Sequence, residues 1–463
     1  MKQALPDDIQ PGKPAKSRSR LHLTFWAGAD KALPMVYGVA VVFLPLGLGL
    51  ISKSQWGVWS GFQMLFLVIS LLGDFFLLQP MVKLCTEHEA IQRPIITAGA
   101  GLYTAFSMLL ALPVALAPEF TAGILKAGPT GAEIFSWMLL TVLSTIPRNI
   151  AIRILQIDYQ ITHIFLLDLA YFGGFVGLML YGWQNNTFDT AGDMVQYNLI
   201  ALVLSSIVGI ILCARKLVPA FSGTARATRQ IIDLGVHQGG TGLMTIVQQQ
   251  ADIVIVSGTR GSAAVGVYNA ARIFFRVFEA LRDAGQLLLV PVTSNAYSEK
   301  NTDKVQDITV LATAALVLML FPLTVVLILS APFFIPVLLP DFASAVDEFQ
   351  WLMASGFAMP FVIVPSAVLL GIGQSKDLFR GMLMGTIVLV GSGTALTYMF
   401  GEVGMAAGVF LGNLTLALLL TQRMNRYIEF SLKGVLKRSR GLGSLARERV
   451  KEFRGSLGKT PPQ

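Results

Sequence analysis

The sequence predicts an all-α polytopic membrane protein, with about twelve transmembrane helices in two six-helix bundles around a central cavity. Hydrophobic residues make up 54% of the 463 positions and charged residues only 13%, whereas soluble globular chains carry about 25% charged residues. The apolar residues also form continuous blocks, such as 33–51, 62–78 and 310–328. Blocks of this length can cross the hydrocarbon core of a bilayer as helices.

Spans of about 20 residues, bounded where charged residues, glycine and proline accumulate, divide the chain into two sets of six helices. The first set is predicted near 33–52, 57–82, 94–117, 133–155, 161–182 and 195–214. The second set is predicted near 238–258, 263–291, 307–331, 347–371, 378–400 and 403–424. The chain is therefore expected to consist of a cytoplasmic tail, a bundle, a cytoplasmic linker, a second bundle and a basic cytoplasmic tail. These five parts are 1–30, 31–217, 218–236, 237–427 and 428–463.

The positive charges predict that both chain ends lie in the cytoplasm. Most of the 35 lysine and arginine residues fall in the terminal segments and in alternate connections, and cytoplasmic connections carry the excess of such residues. The opposite connections hold only Lys53, Lys126 and Arg260. We expect a multi-pass protein of the cell (inner) membrane. Its basic C-terminal tail either lies on anionic lipid or stays solvated and only fixes the topology.

Several classes of function are disfavoured by what the sequence lacks. The external connections are too short to hold a catalytic domain, so a membrane glycosyltransferase or sugar polymerase fits less well than a transporter. Cys85, Cys213 and the four histidines do not have metal-ligand spacing. We predict no catalytic residue, metal site, cofactor or nucleic-acid partner. A scaffold subunit of an export complex is the remaining alternative that does not transport.

A short repeat indicates that the two halves arose by internal duplication. Trp-Gly-Val-Trp at 56–59 opens the second helix, and Val-Gly-Val-Tyr at 265–268 opens the eighth helix. The offset of 209 residues between them also carries Asp74 onto Asp283. Two halves of six helices enter the membrane from the same side, so an axis along the membrane normal relates them. The pocket between them is the expected substrate site.

Around the start of the second half, the chain resembles a known transporter family. The residues that carry the resemblance are Gln-Gln-Gln-Ala-Asp-Ile-Val-Ile-Val-Ser-Gly at 248–258, Ala-Val-Gly-Val-Tyr-Asn-Ala-Ala-Arg at 264–272 and Val-Pro-Val-Thr-Ser at 290–294. They are similar to the Wzx-type polysaccharide transporters, a branch of the multidrug, oligosaccharidyl-lipid and polysaccharide flippase superfamily. Residues 56–87 resemble the region of the second helix in the same family.

This resemblance implies a flippase that carries a polyprenyl-pyrophosphate-linked oligosaccharide from the cytoplasmic to the outer face by alternating access. The transported lipid would serve the assembly of lipopolysaccharide O-antigen, exopolysaccharide or capsule. A polysaccharide polymerase and export machinery are the implied partners. Two alternatives belong to the same superfamily: a cation-coupled exporter of drugs or metabolites, which needs few arginines in its cavity, and a flippase for lipid-linked peptidoglycan precursors.

Charged side chains in the eighth helix predict the centre of the site, because each costs at least about 2.5 to 3.5 kcal/mol in the middle of a bilayer. At about 100° per residue, Arg272, Arg276, Glu279 and Asp283 fall on one face. Guanidinium groups pair with phosphate oxygens by bidentate hydrogen bonds, so Arg272 and Arg276 are predicted to bind the pyrophosphate. Glu279 and Asp283 would balance these charges or couple transport to an ion. Alternatively, Arg272 pairs with Glu279 and Arg276 with Asp283, only to hold helices together.

Polar side chains in other helices complete the predicted site. Gln248 and Asp252 recur at helical spacing in the seventh helix and are expected to face the sugar. Arg153 in the fourth helix either binds substrate or anchors the helix at the inner interface. Asp74 lies well inside the second helix and Asp168 near the start of the fifth. Either of them is expected to balance the charge of an arginine across the cavity.

Overall fold

The computed structural model describes residues 33–34, 36–38, 40–88, 91–158, 160–431 and 434–435, apart from the side chains of 237, 238 and 241. The N-terminal tail and almost all of the basic C-terminal tail lie outside these residues, and so does the predicted contact of that tail with lipid. The described residues are overwhelmingly α-helical and include no strand. This confirms the predicted all-α class.

Each of the twelve predicted spans coincides with a helix or with a run of helical segments in the described chain. The first six are α1 (Val36–Gly47), α2 (Lys53–Glu87), α3 (Gln92–Leu116), α4 (Met138–Ile157), α5 (Ile161–Gln184) and α6 (Ala191–Cys213). The next six are α7 (Thr224–Arg260), α8 (262–298), α9 (Thr302–Leu338), α10 (340–371), α11 (Ser375–Phe400) and α12 (Glu402–Met424). Two short helices, Pro118–Ile124 and Gly128–Ser136, lie between α3 and α4.

Four of the described helices are not regular. A π-helical segment, Phe43–Gly47, ends α1. A π-helical segment, Asp74–Leu78, interrupts α2, and a 3₁₀ turn, Ile273–Phe275, separates the two parts of α8. The two parts of α10, Pro340–Phe357 and Met359–Gly371, are bent by 47°. Such irregular turns inside membrane helices often mark functional positions.

Eight of the helices in the described chain are long and apolar enough to cross a membrane, and the bent α10 makes a ninth. Of the remaining three, α1 is shorter, whereas α7 and α8 are long but not apolar enough to pass the same test. Polar side chains on membrane helices have to face a protein interior or a water-filled space. The low hydropathy of α7 and α8 therefore favours a position away from lipid.

The two halves touch at the predicted outer end, where α2 crosses α8. A Cβ atom added at Gly57 would lie 1.6 Å from the carbonyl oxygen of Ser262, and one added at Gly266 would lie 2.1 Å from that of Lys53. No real side chain fits at such distances, so glycine is what lets the two backbones meet. The contacts are reciprocal, because the offset of 209 that relates Gly57 to Gly266 also relates Lys53 to Ser262.

A second contact lies on the same axis. Asn269 Nδ2 donates to Ser60 Oγ at 2.7 Å, across a separation of 209 residues. A residue touches its own equivalent only on the axis that relates the two copies, as in a two-fold interface. Ser60 with Asn269, and Gly57 with Gly266, therefore mark a local two-fold axis between α2 and α8, which supports the predicted duplication.

The halves also touch along α7. At the outer end, Lys126 Nζ donates to the carbonyl oxygen of Thr259 at 2.9 Å. Towards the cytoplasmic end, Gly235 and Gly239 leave space for Phe76 of the π-helical segment, since a Cβ at Gly235 would lie 2.0 Å from the Phe76 carbonyl oxygen. Helix α7 thus packs closely against α2 at the predicted inner end.

The close contact at Gly57 and Gly266 predicts that one added methyl group at either position destabilises the protein. Gly57→Ala and Gly266→Ala should each lower the free energy of unfolding by about 1 to 3 kcal/mol, as overpacking does, because the new Cβ overlaps a carbonyl group. Gly391→Ala is the control: no atom lies within 4 Å of its added Cβ, and alanine is preferred over glycine inside a helix. Thermal unfolding in detergent measures all three. Equal stability of Gly57→Ala and Gly391→Ala would refute the close contact.

Candidate functional site

The charged side chains of α8 do not keep the single face that an ideal helix predicts. The 3₁₀ turn between Arg272 and Arg276 has about 3.0 residues per turn instead of about 3.6, which changes the direction of the side chains that follow. Arg272 is buried with 8% exposure, whereas Arg276 is exposed. The two arginines consequently occupy different environments.

Arg272 is held inside the second half by α7. Its Nε donates to Asp252 Oδ2 at 2.6 Å, and its Nη2 donates to the carbonyl oxygen of Gln249. The hydroxyl of Tyr268 donates to the same Asp252 oxygen at 2.9 Å. The predicted pairing of Arg272 with Glu279 is not observed, because Asp252 from the neighbouring helix is the direct partner. A buried charge with a well-placed opposite charge and further hydrogen bonds is stably accommodated.

A small cavity with both polar and apolar walls lies beside this pair, within the second half. Its volume is about 30 Å³, enough for a water molecule. Its polar lining residues are Gln248, Gln249, Asp252, Arg272, Glu279, Arg282 and Asn413. The Glu279 carboxylate attracts both Arg272 and Arg276 electrostatically but forms no direct ion pair in the described part of the chain. The cavity thus combines cations with a carboxylate that no cation binds directly.

Arg276 lies where α8 approaches α1. A Cβ atom added at Gly38 would lie 3.9 Å from Arg276 Nη1, and Tyr37 interacts with Arg276 electrostatically. Among the described residues Arg276 has no ion pair or hydrogen bond, and the predicted pairing with Asp283 is not observed. Asp283 is 70% exposed and has Arg282 Nε at 3.9 Å. Arg276 is thus an exposed cation at the boundary of the two halves.

The arginines of the first half have acidic partners. Arg153 Nε donates to Asp74 Oδ1 at 2.7 Å and its Nη2 donates to Oδ2 of the same residue. Arg153 Nη1 also donates to Gln156 Oε1 at 2.6 Å. Arg148 Nη2 donates to Asp168 Oδ1. Asp74 does balance an arginine, but the pair joins α2 to α4 within one half and does not cross a cavity.

Asp168, the other acid expected to pair with an arginine, binds Arg148 and joins α5 to α4. Two further features of the site have no clear signal in the sequence. Glu348 in α10 is buried with 2% exposure, and its Oε2 has no hydrogen-bond partner among the described residues. Tyr37 and Phe172 form an aromatic contact beside Arg276. Each depends on which helices are neighbours, which helical spacing alone does not reveal.

Comparison with known families identifies related sequences. A family model described as "Polysaccharide biosynthesis protein" matches residues 50–344. A search of the curated proteins gives no match.

Solved structures share the fold over nearly the whole chain. "Lipid II flippase MurJ, inward closed conformation" superposes with a TM-score of 0.73 at 12% identity, covering 96% of this chain and 94% of that chain. An inward-facing multidrug resistance MATE family transporter of the MOP superfamily gives a TM-score of 0.65 at 14% identity, covering 87% and 94%. At such low identities the likeness establishes the fold alone, and that fold is the predicted one.

The pair Asp252 and Arg272 predicts a large loss of stability when one partner is removed. Asp252→Ala should cost about 3 to 5 kcal/mol, because the buried guanidinium loses its counter-charge. Glu299→Ala is the control, since its ion pair with Lys304 at 3.1 Å is exposed and such pairs contribute about 0 to 1 kcal/mol. Chemical unfolding in detergent compares the two variants. Replacing both residues together, as Asp252→Leu with Arg272→Met, should recover most of the loss. A similar cost for both single variants would contradict the assignment.

Proposed function

The chain belongs to the polysaccharide biosynthesis protein family, and from that premise we propose that it is a flippase for a polyprenyl-pyrophosphate-linked oligosaccharide. It moves this lipid from the cytoplasmic to the outer face of the membrane by alternating access of its two halves. The product serves the assembly of lipopolysaccharide O-antigen, exopolysaccharide or capsule. The observation that carries the proposal is the exposed guanidinium of Arg276, which lies between the halves without a direct acidic partner among the described residues.

The contrast with three other arginines within the helices supports an anionic ligand for Arg276. Arg148, Arg153 and Arg272 each form an ion pair with an aspartate, as the cost of charge in a membrane requires. Among the described residues Arg276 has no ion pair, and the attraction of Glu279 acts on it at longer range. A planar guanidinium matches two phosphate oxygens at once. We therefore propose that the pyrophosphate of the lipid pairs with the guanidinium of Arg276.

In this proposal, the remaining predicted ligands hold neighbouring helices together. Arg272 and Asp252 fix α8 to α7, and Arg153 is occupied by Asp74. Gln248 Nε2 donates to the carbonyl oxygen of Met382 at 3.2 Å, which ties α7 to α11. These side chains position the helices that present Arg276, and they do not contact the pyrophosphate directly.

Glu279 is the residue we propose for charge balance and ion coupling. It shares the small cavity with Arg272, Arg282 and Asp252 and attracts Arg276. When the pyrophosphate reaches Arg276, it replaces Glu279 as the source of negative charge there. The carboxylate can then bind a proton or a cation. Asp283 is largely exposed, so in this proposal it contributes less than Glu279 to charge balance and ion coupling.

The cellular setting follows from the same proposal. The protein lies in the inner membrane with both termini in the cytoplasm, where the positive charges predict them. Residues 428–463 bind anionic lipid at the inner surface. The polymerase that consumes the delivered sugar lipid, together with the export machinery behind it, are the proposed protein partners.

Transport should depend on the charge of Arg276. In proteoliposomes, Arg276→Gln is expected to slow the movement of a labelled polyprenyl-pyrophosphate oligosaccharide at least tenfold, or about 1.4 kcal/mol or more, because an amide cannot replace the guanidinium. Arg276→Lys keeps the charge and should retain part of the rate. Arg229→Gln, which removes an exposed charge near the start of α7, is the matched control. Wild-type rates in Arg276→Gln, or a wild-type protein that cleaves the lipid or fails to move it, would refute the proposal.

The role of Glu279 is tested by the dependence on an ion gradient. Glu279→Gln removes the ionisable group but keeps the shape of the side chain. We expect this variant to move the labelled lipid down its own gradient at a normal rate, without the acceleration that an imposed proton or sodium gradient gives the wild type. Glu299→Gln, an exposed carboxylate near the end of α8, serves as the control. Full acceleration in Glu279→Gln would exclude this residue from coupling.

A further inference from the structure

Aromatic side chains from α1, α2 and α5 form a cluster next to Arg276. The ring centroid of Tyr37 lies 4.5 Å from that of Phe172, 5.8 Å from that of Phe175 and 5.9 Å from that of Tyr171. Phe175 in turn lies 5.9 Å from Trp59. All of these separations fall within the range of favourable aromatic pairs, so the position of Tyr37 is set by several rings at once.

The cluster has a buried base and an accessible edge. Trp59, Phe175 and Tyr171 are buried, whereas Tyr37 and Phe172 are partly exposed. Tyr37 and Phe172 therefore form the less buried edge of the cluster. The accessible edge is thus available for contact with another molecule.

Polar contacts fix the base of this cluster. The hydroxyl of Tyr171 donates to Asn198 Oδ1 at 2.8 Å. The guanidinium of Arg148 lies 4.9 Å from the centre of the Tyr171 ring, and Arg148 itself is paired with Asp168. A binding surface works best when its supporting side chains are locked by packing and hydrogen bonds. Tyr37 and Phe172 have such a support.

The accessible edge lies beside the exposed cation. Gly38 directly follows Tyr37, and a Cβ atom at Gly38 would lie 3.9 Å from Arg276 Nη1. Arg276 also interacts electrostatically with Tyr37 and Tyr171. In a sugar pyrophosphate, the first sugar is bonded directly to a phosphate. A ligand whose phosphate binds Arg276 therefore brings that sugar towards the two rings.

We propose that Tyr37 and Phe172 form a stacking surface for the first sugar of the substrate, the sugar bonded to the pyrophosphate. This inference rests on the proposed function, because it takes Arg276 as the pyrophosphate ligand. The C–H groups on one face of a pyranose pack against the electron-rich face of an aromatic ring, while its hydroxyl groups remain free to bond water. Phe172 offers no hydrogen-bonding group, and it is the faces of the two rings, which do not distinguish hydroxyl patterns, that recognise the sugar in this proposal.

The experiment measures binding to the full-length protein in lipid nanodiscs. The two ligands are a polyprenyl pyrophosphate carrying a single sugar and the same polyprenyl pyrophosphate without sugar. We expect the wild type to bind the sugar-bearing lipid at least tenfold more tightly, which corresponds to about 1.4 kcal/mol. The double variant Tyr37→Ala with Phe172→Ala should lose this preference and keep its affinity for the sugar-free lipid.

Three further variants separate the stacking surface from other effects. Tyr37→Phe with Phe172→Tyr keeps both ring faces and should keep the preference for the sugar. Tyr37→Leu with Phe172→Leu keeps apolar volume without ring faces and should lose it, even if the alanine variant folds poorly. Phe333→Ala removes an aromatic side chain that is 76% exposed elsewhere, and it should change neither affinity.

The outcomes distinguish this inference from the proposed function. Equal losses for both ligands in the leucine variant would mean that the rings contact the lipid chain or support the fold, and would overturn the stacking surface. Equal binding of the two ligands by the wild type would also overturn it. In both cases the proposed function survives if Arg276→Gln weakens both ligands. If Arg276→Gln leaves both affinities unchanged, the pyrophosphate site itself is wrong.

Discussion

A guanidinium group within a membrane-spanning helix needs an opposite charge, a backbone carbonyl or water beside it, and this requirement organises the interior of the protein. Arg148 with Asp168, Arg153 with Asp74 and Arg272 with Asp252 each meet it through an ion pair. Each pair also joins two helices of the same half, so the pairs stabilise the bundles individually. Arg276 lies at the boundary between the halves, where no described residue forms an ion pair with it.

The two halves depend on a different constraint, the close approach of backbones at Gly57 and Gly266. Their contact lies on a local two-fold axis, so both copies of the repeat supply the same small residue at the same place. The symmetry does not extend to the chemistry of the site. Helix α7 contacts the π-helical segment of α2 through glycines, whereas α1 presents Tyr37 and Gly38 to Arg276. One side of the boundary is therefore closely packed, whereas the other side carries an exposed cation beside aromatic rings.

The candidate site was only partly predictable from the sequence. Arg272 and Arg276 are charged residues in an apolar stretch, and they indicated that α8 belongs to the site. Gln248 and Asp252 recur at helical spacing, and they indicated the same for α7. Helical periodicity then assigned Arg272 and Arg276 to one face, but the 3₁₀ turn between them separates their environments. Periodicity also suggested Glu279 as the partner of Arg272 because both lie on one helix. The actual partner, Asp252, comes from another helix.

The amino-acid sequence by itself determined the class of protein, the positions of the helices and the family, because hydropathy, charge distribution and local motifs are properties of the chain. It also determined which positions carry charge that the membrane must accommodate. The tertiary structure alone decided which carboxylate neutralises which arginine, that Arg276 has no direct acidic partner among the described residues, and that Tyr37 and Phe172 lie beside it. Those outcomes depend on distances between helices far apart in the sequence, since an ion pair or a ring contact forms only where packing brings the two side chains within a few ångströms.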